Sequence, residues 1–138
     1  MHDILLRTSP ALDNHDLNAL FAAAWEGHVE RDFTPILSRS LLTVCAFHGD
    51  RLIGFVNVAW DGGIHAFLLD TTVHPDFQRR GLGQRLVCTA IEAAGARGIE
   101  WMHVDYEPHL HRFYQRCGFQ PTQAGLVNLR RGASGTDA

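Results

Sequence analysis

The segment 78–83 combines two arginines with two glycines in the order Gln-Arg-Arg-Gly-Leu-Gly. Apolar residues at helical spacing follow it, so it is predicted to open a helix. The first turn of a helix offers unpartnered backbone N–H groups and the positive end of the helix dipole, which attract anions. Gly81 and Gly83 lack the Cβ atoms that would hold a phosphate away from the backbone. The segment therefore predicts a phosphate-binding loop, with a glycine-rich turn and solvated arginines as the structural alternative.

Two other kinds of site are disfavoured by the spacing of the residues. The loop has neither the G-K-S/T of a P-loop nor the G-x-G-x-x-G of a dinucleotide fold. Nine histidines invite a metal site, but no H-E-x-x-H spacing occurs. His103 and Asp105 would share a strand face, whereas His109 and His111, two apart at a helix start, do not share a helical face. We therefore predict no metal site.

The elements that must position the loop follow from the periodicity of the apolar residues. Strands are predicted at residues 4–8, 41–47, 52–60, 64–73, 99–105 and 127–129. Helices are predicted to begin at Asp13 or Asn14, to cover 34–40, to run from Leu82 to Gly98 and to run from Pro108 to Gly118. Tight turns join the second, third and fourth strands as antiparallel neighbours. The strand, helix, strand order from residue 64 onward predicts a parallel pair inside a mixed α/β sheet with helices on both faces.

Length and composition are those of an ordinary globular domain. The 138 residues are 46% hydrophobic and 20% charged, with a formal net charge of -3. A nucleic-acid binder normally shows a basic face, and a membrane span needs about 20 apolar residues, so neither nucleic acid nor membrane is expected as a partner. The N-terminus lacks the basic start of a signal peptide, which favours the cytoplasm. We predict a single domain over residues 1–130 and a flexible tail over 131–138.

The three cysteines, Cys45, Cys88 and Cys117, form no C-x-x-C pair and no even-numbered disulfide framework. Free cysteine is among the residue types most often buried in folded proteins. All three are therefore predicted to be small buried hydrophobic residues.

The residues around the loop resemble a known family. The segment 72–83, TVHPDFQRRGLG, resembles the acetyl-CoA signature of the GNAT acetyltransferase superfamily, whose core is Q/R-x-x-G-x-G/A after a strand that ends in V-x-P. The segment 113–119, FYQRCGF, resembles its second hallmark, an aromatic-Tyr pair a few residues before G-F. Both motifs stand in the family's order and spacing, and the resemblance extends to about Leu129. It implies the GNAT fold, a mostly antiparallel central sheet with a parallel, splayed pair and helices on both faces.

In that family the loop wraps the pyrophosphate of CoA, and the end of the preceding strand hydrogen-bonds the pantetheine arm. The positions that the resemblance implies for CoA are Thr71, Thr72, Val73, Gln78, Arg79, Arg80, Gly81, Leu82, Gly83 and Gln84. The splayed strands would leave a slot for the thioester, where the backbone N–H near Val73 could stabilise the oxyanion. Family members often contact the pantetheine through an Asn seven residues before the tyrosine, and that place is Glu107 here.

Tyr114 matches the family tyrosine that often protonates the departing CoA thiolate. A phenol suits that role because its reference pKa of about 10 lies a little above that of an ordinary thiol. A packed core aromatic is the structural alternative. The base is expected in the strand before the loop, where relatives often carry adjacent acidic residues and this sequence has Leu69-Asp70. Asp70 is the candidate base, and a carboxylate hydrogen-bonded to the backbone is its structural alternative.

The resemblance also places the acceptor side. The residues that fall where the family builds the acceptor wall are Trp25, Glu26, His28, Glu30 and Asp32. An acidic, aromatic-rimmed lip there would attract a cationic amine, and a solvated helix end is the alternative. His103 and Asp105 fall where the acceptor pocket should open, which favours a polar role toward the substrate.

The sequence thus predicts an acetyl-CoA-dependent N-acetyltransferase that passes an acetyl or other short acyl group directly from CoA to a primary amine. Its partners would be acetyl-CoA, as a co-substrate, and an amine acceptor, and a homodimer is compatible with the sequence. Leu69 and Glu107 leave open a CoA-binding regulatory module with a lapsed catalytic site. A third alternative is an unrelated small α/β binding protein whose loop only mimics the motif.

Overall fold

The computed structural model describes residues 3–130. The chain divides into two compact units, the first unit at residues 1–104 and the second unit at residues 105–138. The predicted tail, 131–138, lies outside the described residues, and the single domain over residues 1–130 stays a prediction. No helix in the described part is both long and apolar enough to cross a bilayer.

The first unit is built on a five-stranded sheet in the order β1-β2-β3-β4-β5. Its strands are β1 (Ile4–Thr8), β2 (Ser40–His48), β3 (Arg51–Trp60), β4 (His65–Val73) and β5 (Trp101–His103). Neighbours from β1 to β4 pair antiparallel, whereas β4 and β5 pair parallel. The mixed sheet with a parallel pair at its end is confirmed.

Three helices and a 3-10 turn complete the first unit. They are α1 (Asn14–Ala24), α2 (Thr34–Leu37), the 3-10 turn (Pro75–Phe77) and α3 (Leu82–Ala96). The predicted cap of α1 is confirmed, because the side chain of Asp13 accepts a hydrogen bond from the Asp16 N–H at 2.8 Å. The second unit holds a 3-10 turn (Pro108–Leu110) and the short helix α4 (His111–Arg116).

Helices α1 and α3 cover opposite faces of the sheet. Cys45 and Phe55 pair across β2 and β3 and belong to the same core cluster as the apolar face of α1. Ala46 and Gly54, the next pair along, point to the other face. A Cβ at Gly54 would come within 3.0 Å of the Leu86 side chain of α3. Glycine at this position therefore permits the close approach of α3 to the sheet.

Several predicted elements are shorter than expected. The strand predicted at 99–105 is reduced to Trp101–His103, since its pairing with β4 begins at His65 and ends at Phe67. The helix predicted at 34–40 ends at Leu37, because Ser40 already pairs with β3. The last strand, predicted at 127–129, is wrong, and its side chains are about four-fifths exposed. A strand needs a neighbour for its backbone groups, and residues 105–130 contain no strand that could pair with it.

The cysteine prediction is correct for one residue and wrong for another. Cys45 is fully buried in the sheet, and desolvation raises the pKa of its thiol to about 12. Cys88 is exposed, because it follows Leu86 and Val87 on α3 and lies about 100° further round the helix, outside the apolar face. Cys117 is half-buried. Cysteine type alone therefore does not decide burial where the helical face does.

Asparagine side chains hold the connection between α1 and α2. Asn18 lies on the apolar face of α1 and is buried. Its amide donates to the carbonyls of Asn14 and Arg31, each at 2.8 Å, and its oxygen accepts from the Arg31 N–H at 3.0 Å and from His28 Nε2 at 2.9 Å. The side-chain oxygen of Asn14 accepts from the Phe33 N–H at 2.7 Å. The side-chain amides of Asn14 and Asn18 thus bond the backbone as another backbone amide would, and they fix the connection on α1.

Replacing Asn18 by leucine should destabilise the protein. The variant Asn18→Leu leaves several partly buried backbone groups of the connection without partners, at a cost of about 1–3 kcal/mol for each buried group. We expect the free energy of unfolding, measured by urea denaturation, to fall by about 2–4 kcal/mol in total. His15→Ala on the exposed side of the same helix is the control, with an expected change of about 0.5 kcal/mol or less. Equal losses in the two variants would contradict this role of Asn18.

Candidate functional site

Strand β4 has one edge that is only partly paired. Its pairing with β5 joins His65 to Trp101 and ends where Phe67 meets His103, and no other strand among residues 3–104 continues along this edge. β4 itself runs on to Val73, bonded to β3. The two parallel strands therefore separate after Phe67, which is the splay that the sequence predicts. We call the edge from residue 68 to residue 73 the open edge.

Val73, the last residue of the open edge, directs its backbone N–H and C=O groups away from β3. The N–H of His74 donates to the carbonyl of Ile53 in β3 at 2.8 Å. Because successive residues of a strand direct their N–H and C=O groups to opposite edges, those of Val73 face away from β3. On that side the side-chain amide of Gln78 donates to the Val73 carbonyl at 3.1 Å. The N–H of Val73 therefore faces the open edge, where a ligand could accept from it.

A bulge in β4 displaces Asp70 from the regular pleat. Phe55 of β3 lies opposite Thr72, while Asn57, two residues on, lies opposite Leu69, three residues back. Asp70 lies in the longer segment, and its φ of 60° is in the left-handed region. For a non-glycine residue this conformation costs about 1–2 kcal/mol, so the surrounding sheet must hold it in place. The bulge turns the Asp70 side chain away from the direction that a regular strand would give it.

A tryptophan ties the bulge to the end of α1. Trp25 directly follows α1, and its indole N–H donates to Thr72 Oγ1 at 3.0 Å. The same hydroxyl donates to the carbonyl of Asp70 at 2.8 Å. Thr72 is buried and its hydroxyl is used within the protein, whereas Thr71 and Val73, the other two residues predicted to meet pantetheine, are half-buried. Trp25 remains 50% exposed, so half of its surface is accessible beside the bulge.

The carboxyl group of Asp70 is partly withdrawn from water, although the residue as a whole is exposed. This desolvation raises the pKa of Asp70 above its usual value, and the positive charge of Arg31 on the α1–α2 connection opposes the rise. The carboxylate accepts no hydrogen bond from residues 3–130, which disfavours the structural alternative of a backbone-bound carboxylate. A carboxylate with a raised pKa holds a proton more tightly than an ordinary aspartate, as a base requires.

The loop leads into α3 through two left-handed residues. Arg79 has a φ of 63° and Gly81 a φ of 75°. Gly81 is the N-cap of α3 and has no side chain to cap the N–H groups of the first turn. Apart from its chain neighbours, no atom of residues 3–130 lies within 4 Å of the position that a Cβ on Gly81 would take. The first turn, which begins with Leu82, Gly83 and Gln84, is thus open to an anion.

The two arginines of the loop differ in their surroundings. The guanidinium of Arg80 lies over the ring of Phe77, 5.2 Å from its centroid, and donates to the carbonyl of Asp76 at 3.4 Å. Phe77 is itself buried. The guanidinium of Arg79 makes no hydrogen bond, ion pair or ring contact with residues 3–130. Arg79 is therefore free to meet a ligand, whereas Arg80 anchors the loop on the 3-10 turn before it.

One member of the acidic lip predicted on the acceptor side, Asp32, also bonds within the protein. The carboxylate of Asp32 accepts from the Thr34 N–H at 3.0 Å and from the Asn14 amide at 2.9 Å. These bonds lower the pKa of Asp32 below its usual value. Asp32 thus also serves the α1–α2 connection, but it is exposed and ionised like Glu26 and Glu30, and the acidic lip stays a prediction.

In the second unit, Tyr114 is the buried member of an aromatic cluster. Its ring stacks on that of Tyr106 with the centroids 4.8 Å apart. The rings of Phe113 and Phe119 lie edge-on to it, with centroids at 4.9 Å and 5.8 Å. These contacts give Tyr114 a packing role, and its role as an acid stays a prediction. Asp70 and the residues predicted to bind CoA all lie in the first unit.

Of the two residues predicted at the acceptor pocket, His103 lies in strand β5 and Asp105 does not. His103 ends β5, and its Nε2 lies 2.8 Å from Nδ1 of His65. The ring of Phe67 stacks on that of His103 with the centroids 4.8 Å apart. Asp105 lies beyond the strand, so the shared strand face is wrong. No group of three or more His, Cys, Asp or Glu that could hold a metal occurs among residues 3–130.

Two residues and one contact that shape the site are missed from the sequence. Asn18 leaves a usable signal, because it is a polar residue between Leu17 and Leu20 on an apolar helical face. Arg31 leaves none, since its effect on Asp70 depends on how the chain folds back toward β4. The contact that holds Trp25 on the bulge likewise joins residues 47 positions apart. Long-range contacts of this kind have no periodicity that could reveal them.

Several proteins are similar to this chain in sequence. It is 26% identical over 132 residues to the uncharacterised N-acetyltransferase ycf52 of Gracilaria tenuistipitata, covering 92% of this chain and 72% of that protein. It is 35% identical over 79 residues to ycf52 of Porphyra purpurea, covering 57% of this chain and 45% of that protein. It is 32% identical over 113 residues to a ycf52-like protein of Prochlorococcus marinus, covering 78% of this chain and 63% of that protein. The chain therefore spans less than two thirds of the length of the last two relatives.

Solved structures with the same fold are also acetyltransferases. A GNAT family acetyltransferase from Streptococcus pneumoniae gives a TM-score of 0.71 at 23% identity, over 92% of this chain and 99% of that chain. An aminoglycoside N-acetyltransferase in complex with CoA gives a TM-score of 0.72 at 19% identity, over 95% of this chain and 97% of that chain. At such identities the likeness shows the fold.

The sequence profile of the acetyltransferase (GNAT) family matches residues 2–119. The matched region includes both predicted motifs, all five strands of the sheet and helix α4. The similar proteins and the shared fold agree with this match. The chain therefore belongs to the acetyltransferase (GNAT) family.

Proposed function

We propose that the chain transfers an acetyl or other short acyl group from CoA directly to a primary amine. The observation that carries the proposal is the glycine-capped first turn of α3, open to an anion. It follows strand β4, whose outer edge has no partner strand from residue 68 to residue 73 among residues 3–104. Membership of an acetyltransferase family makes acetyl-CoA the co-substrate expected there. The cytoplasmic location and the homodimer expected from the sequence stay predictions.

CoA would be held by backbone groups more than by side chains. Its pyrophosphate would lie on the N–H groups of Leu82, Gly83 and Gln84, with the unengaged guanidinium of Arg79 adding charge. The pantetheine arm, which resembles a peptide, would extend along the open edge past Thr71 and Val73. The side chain of Gln78, which already bonds the Val73 carbonyl, would keep this strand end and the loop together.

Acyl transfer requires a neutral amine, whose nitrogen attacks the thioester carbon before the C–S bond breaks. Asp70 would take the proton from the amine, directly or through water. The N–H of Val73 would stabilise the oxyanion that forms on the thioester oxygen. Tyr114 would donate its proton to the departing thiolate. The products are an amide and CoA thiol, so one proton leaves the amine and one reaches the sulfur.

A catalytically lapsed CoA-binding module is the second candidate function. It is favoured by Leu69, an apolar side chain at the place where relatives often carry an acid, which is 38% exposed. Calorimetry with acetyl-CoA tests binding, and release of CoA thiol with a panel of primary amines tests turnover. Binding without thiol release across the panel would favour the module. Absence of acetyl-CoA binding would contradict both candidates.

Adding a methyl group at Gly81 should weaken CoA binding. The Cβ of Gly81→Ala would meet no atom of the described residues, so it would project into the space that we assign to the phosphates. We expect the affinity for CoA, measured by calorimetry, to fall by about tenfold or more, equivalent to about 1.4 kcal/mol. Gly98→Ala is the matched control, because Gly98 also has a positive φ, of 91°, and open space around it, at the other end of α3. Similar affinities for the two variants would exclude the loop as the phosphate site.

The rate should depend on pH through Asp70. Asp70 must be ionised to accept a proton, and burial raises its pKa, so kcat/KM should fall with acidification at a higher pH than for an ordinary aspartate. Arg31→Met removes the opposing positive charge and should move this acid limb to still higher pH. Asp70→Asn should lower kcat by about a hundredfold and abolish the limb. Glu30→Gln, which changes a charge next to Arg31 in the sequence, should leave the limb in place. An unchanged limb in Asp70→Asn would remove Asp70 as the base.

Tyr114→Phe separates the catalytic role of the tyrosine from its packing role. The variant keeps the ring contacts with Tyr106 and the neighbouring phenylalanines but removes the phenolic proton. If Tyr114 is the acid, kcat should fall by about a hundredfold, with acetyl-CoA affinity and thermal stability nearly unchanged. Tyr106→Phe, on the stacking partner, is the control and should keep kcat near that of the unmodified protein. A stability loss of about 1 kcal/mol with unchanged kcat would leave Tyr114 only a packing role.

A further inference from the structure

His74 links strand β4 to the segment that carries the loop. It follows the last residue of β4 and is the N-cap of the 3-10 turn at residues 75–77. Its backbone N–H is bonded to Ile53 of β3, and its side chain is 12% exposed. The ring is therefore held in one place, nearly out of solvent, five residues before Arg79, the first of the two left-handed positions in the loop.

Two donors compete for the ring of His74. The Asp76 N–H lies 3.1 Å from Nδ1, and the guanidinium of Arg51, at the start of β3, lies 2.9 Å from Nε2. Neutral imidazole has one lone pair on its ring nitrogens, and both a backbone N–H and a guanidinium can only donate. The ring can therefore accept from Asp76 or from Arg51, but not from both at once. A protonated ring has no lone pair and accepts from neither.

The 3-10 turn capped by His74 also supports the loop. The buried ring of Phe77 lies 6.1 Å from the ring of His74 and 5.1 Å from that of His48 between centroids. Arg80 of the loop packs over Phe77 and bonds the carbonyl of Asp76, as described above. A change in the cap at Asp76 would therefore shift both groups on which Arg80 rests.

The charged groups around His74 determine the effect of protonation. The carboxylate of Asp76 lies 3.8 Å from Nδ1 but is 72% exposed, so its attraction for the imidazolium is weakened by solvent. Arg51 would face the imidazolium as a like charge. Arg80 and His48 contact Phe77, as His74 does, and salt screens the attraction of a charge on His74 for phosphate at the loop. The loss of the accepted bond therefore outweighs the gain in charge.

We propose that His74 is a proton-sensitive positioning residue for the phosphate loop, and that its protonation weakens CoA binding. The inference rests on the proposed function of the loop. The neutral ring accepts from either the Asp76 N–H, which caps the 3-10 turn, or Arg51, and protonation removes whichever of these bonds is present. Histidine is the side chain whose charge ordinarily changes between pH 5 and 8, which sets the pH range of the test. The loss of an N-cap corresponds to about a fivefold change in an equilibrium constant.

Two substitutions separate the two bonds. His74→Asn places an amide oxygen near the position of Nδ1, where it can cap the Asp76 N–H and cannot be protonated. His74→Gln places one near Nε2, where it can accept from Arg51 but leaves the turn uncapped. Arg51→Met removes the competing donor and leaves the lone pair to Asp76. His15→Asn makes the same change at an exposed histidine of α1 and serves as the control.

Calorimetry with CoA at pH 8 and at pH 5.5 tests the proposal. The unmodified protein and His15→Asn should lose about fivefold more affinity on acidification than His74→Asn, a comparison that cancels the titration of CoA itself. His74→Gln should bind about fivefold more weakly than His74→Asn at pH 8, and Arg51→Met should bind at least as tightly as the unmodified protein. Equal pH dependence in the unmodified protein and His74→Asn would overturn the proposal.

A second measurement does not depend on CoA. The NMR shift of the Asp76 amide should titrate together with the ring of His74 in the unmodified protein and should be independent of that pH range in His74→Asn. An Asp76 amide that does not follow the ring would overturn the proposal even if CoA binds. Absence of CoA binding at pH 8, with the amide titrating as expected, would instead contradict the proposed function and leave the pH-dependent cap established.

Discussion

The site depends on β4 keeping its bonds to β3 after it has left β5. A strand that ended with its parallel partner at Phe67 would have no open edge and would not reach Val73. The hydrogen bond from His74 to Ile53 keeps β4 on β3 to its last residue, and the alternation of the backbone then turns the Val73 groups outward. At its end, β4 is therefore paired with β3 on one side and leaves the open edge on the other. The proposed chemistry uses this geometry.

Several local contacts brace this strand end from the opposite side. The bulge at Asp70 is held by the hydroxyl of Thr72, and that hydroxyl is held by the indole of Trp25. The α1–α2 connection that begins at Trp25 is in turn fixed on α1 by Asn18. The positions of Asp70 and Arg31 thus follow from one hydrogen-bonded framework, which explains how a strained bulge persists in a small unit.

The sequence predicts the sheet and the loop but not the interactions that adjust them. Strands β1 to β4, helix α3 and the glycine-capped turn follow from periodicity, turn residues and glycine placement, which are local signals. The length of β5 depends on where β4 diverges, and the failure of 127–129 to form a strand depends on the lack of a pairing neighbour. The exposure of Cys88 follows from its angle on α3, which outweighs the preference of cysteine for burial. The bulge places Asp70, a non-glycine residue, at positive φ. Its residue type alone does not reveal this conformation.

The left-handed conformation of Arg79 has a consequence for the entropy of ligand binding. A φ of 63° is unfavourable for arginine. The rest of the fold must therefore offset the free-energy cost of this conformation before any ligand binds. A loop that is already ordered loses little conformational freedom when it contacts a phosphate. Binding to residues 78–83 should therefore resemble docking to a rigid surface, with encounter rather than loop closure setting the association rate.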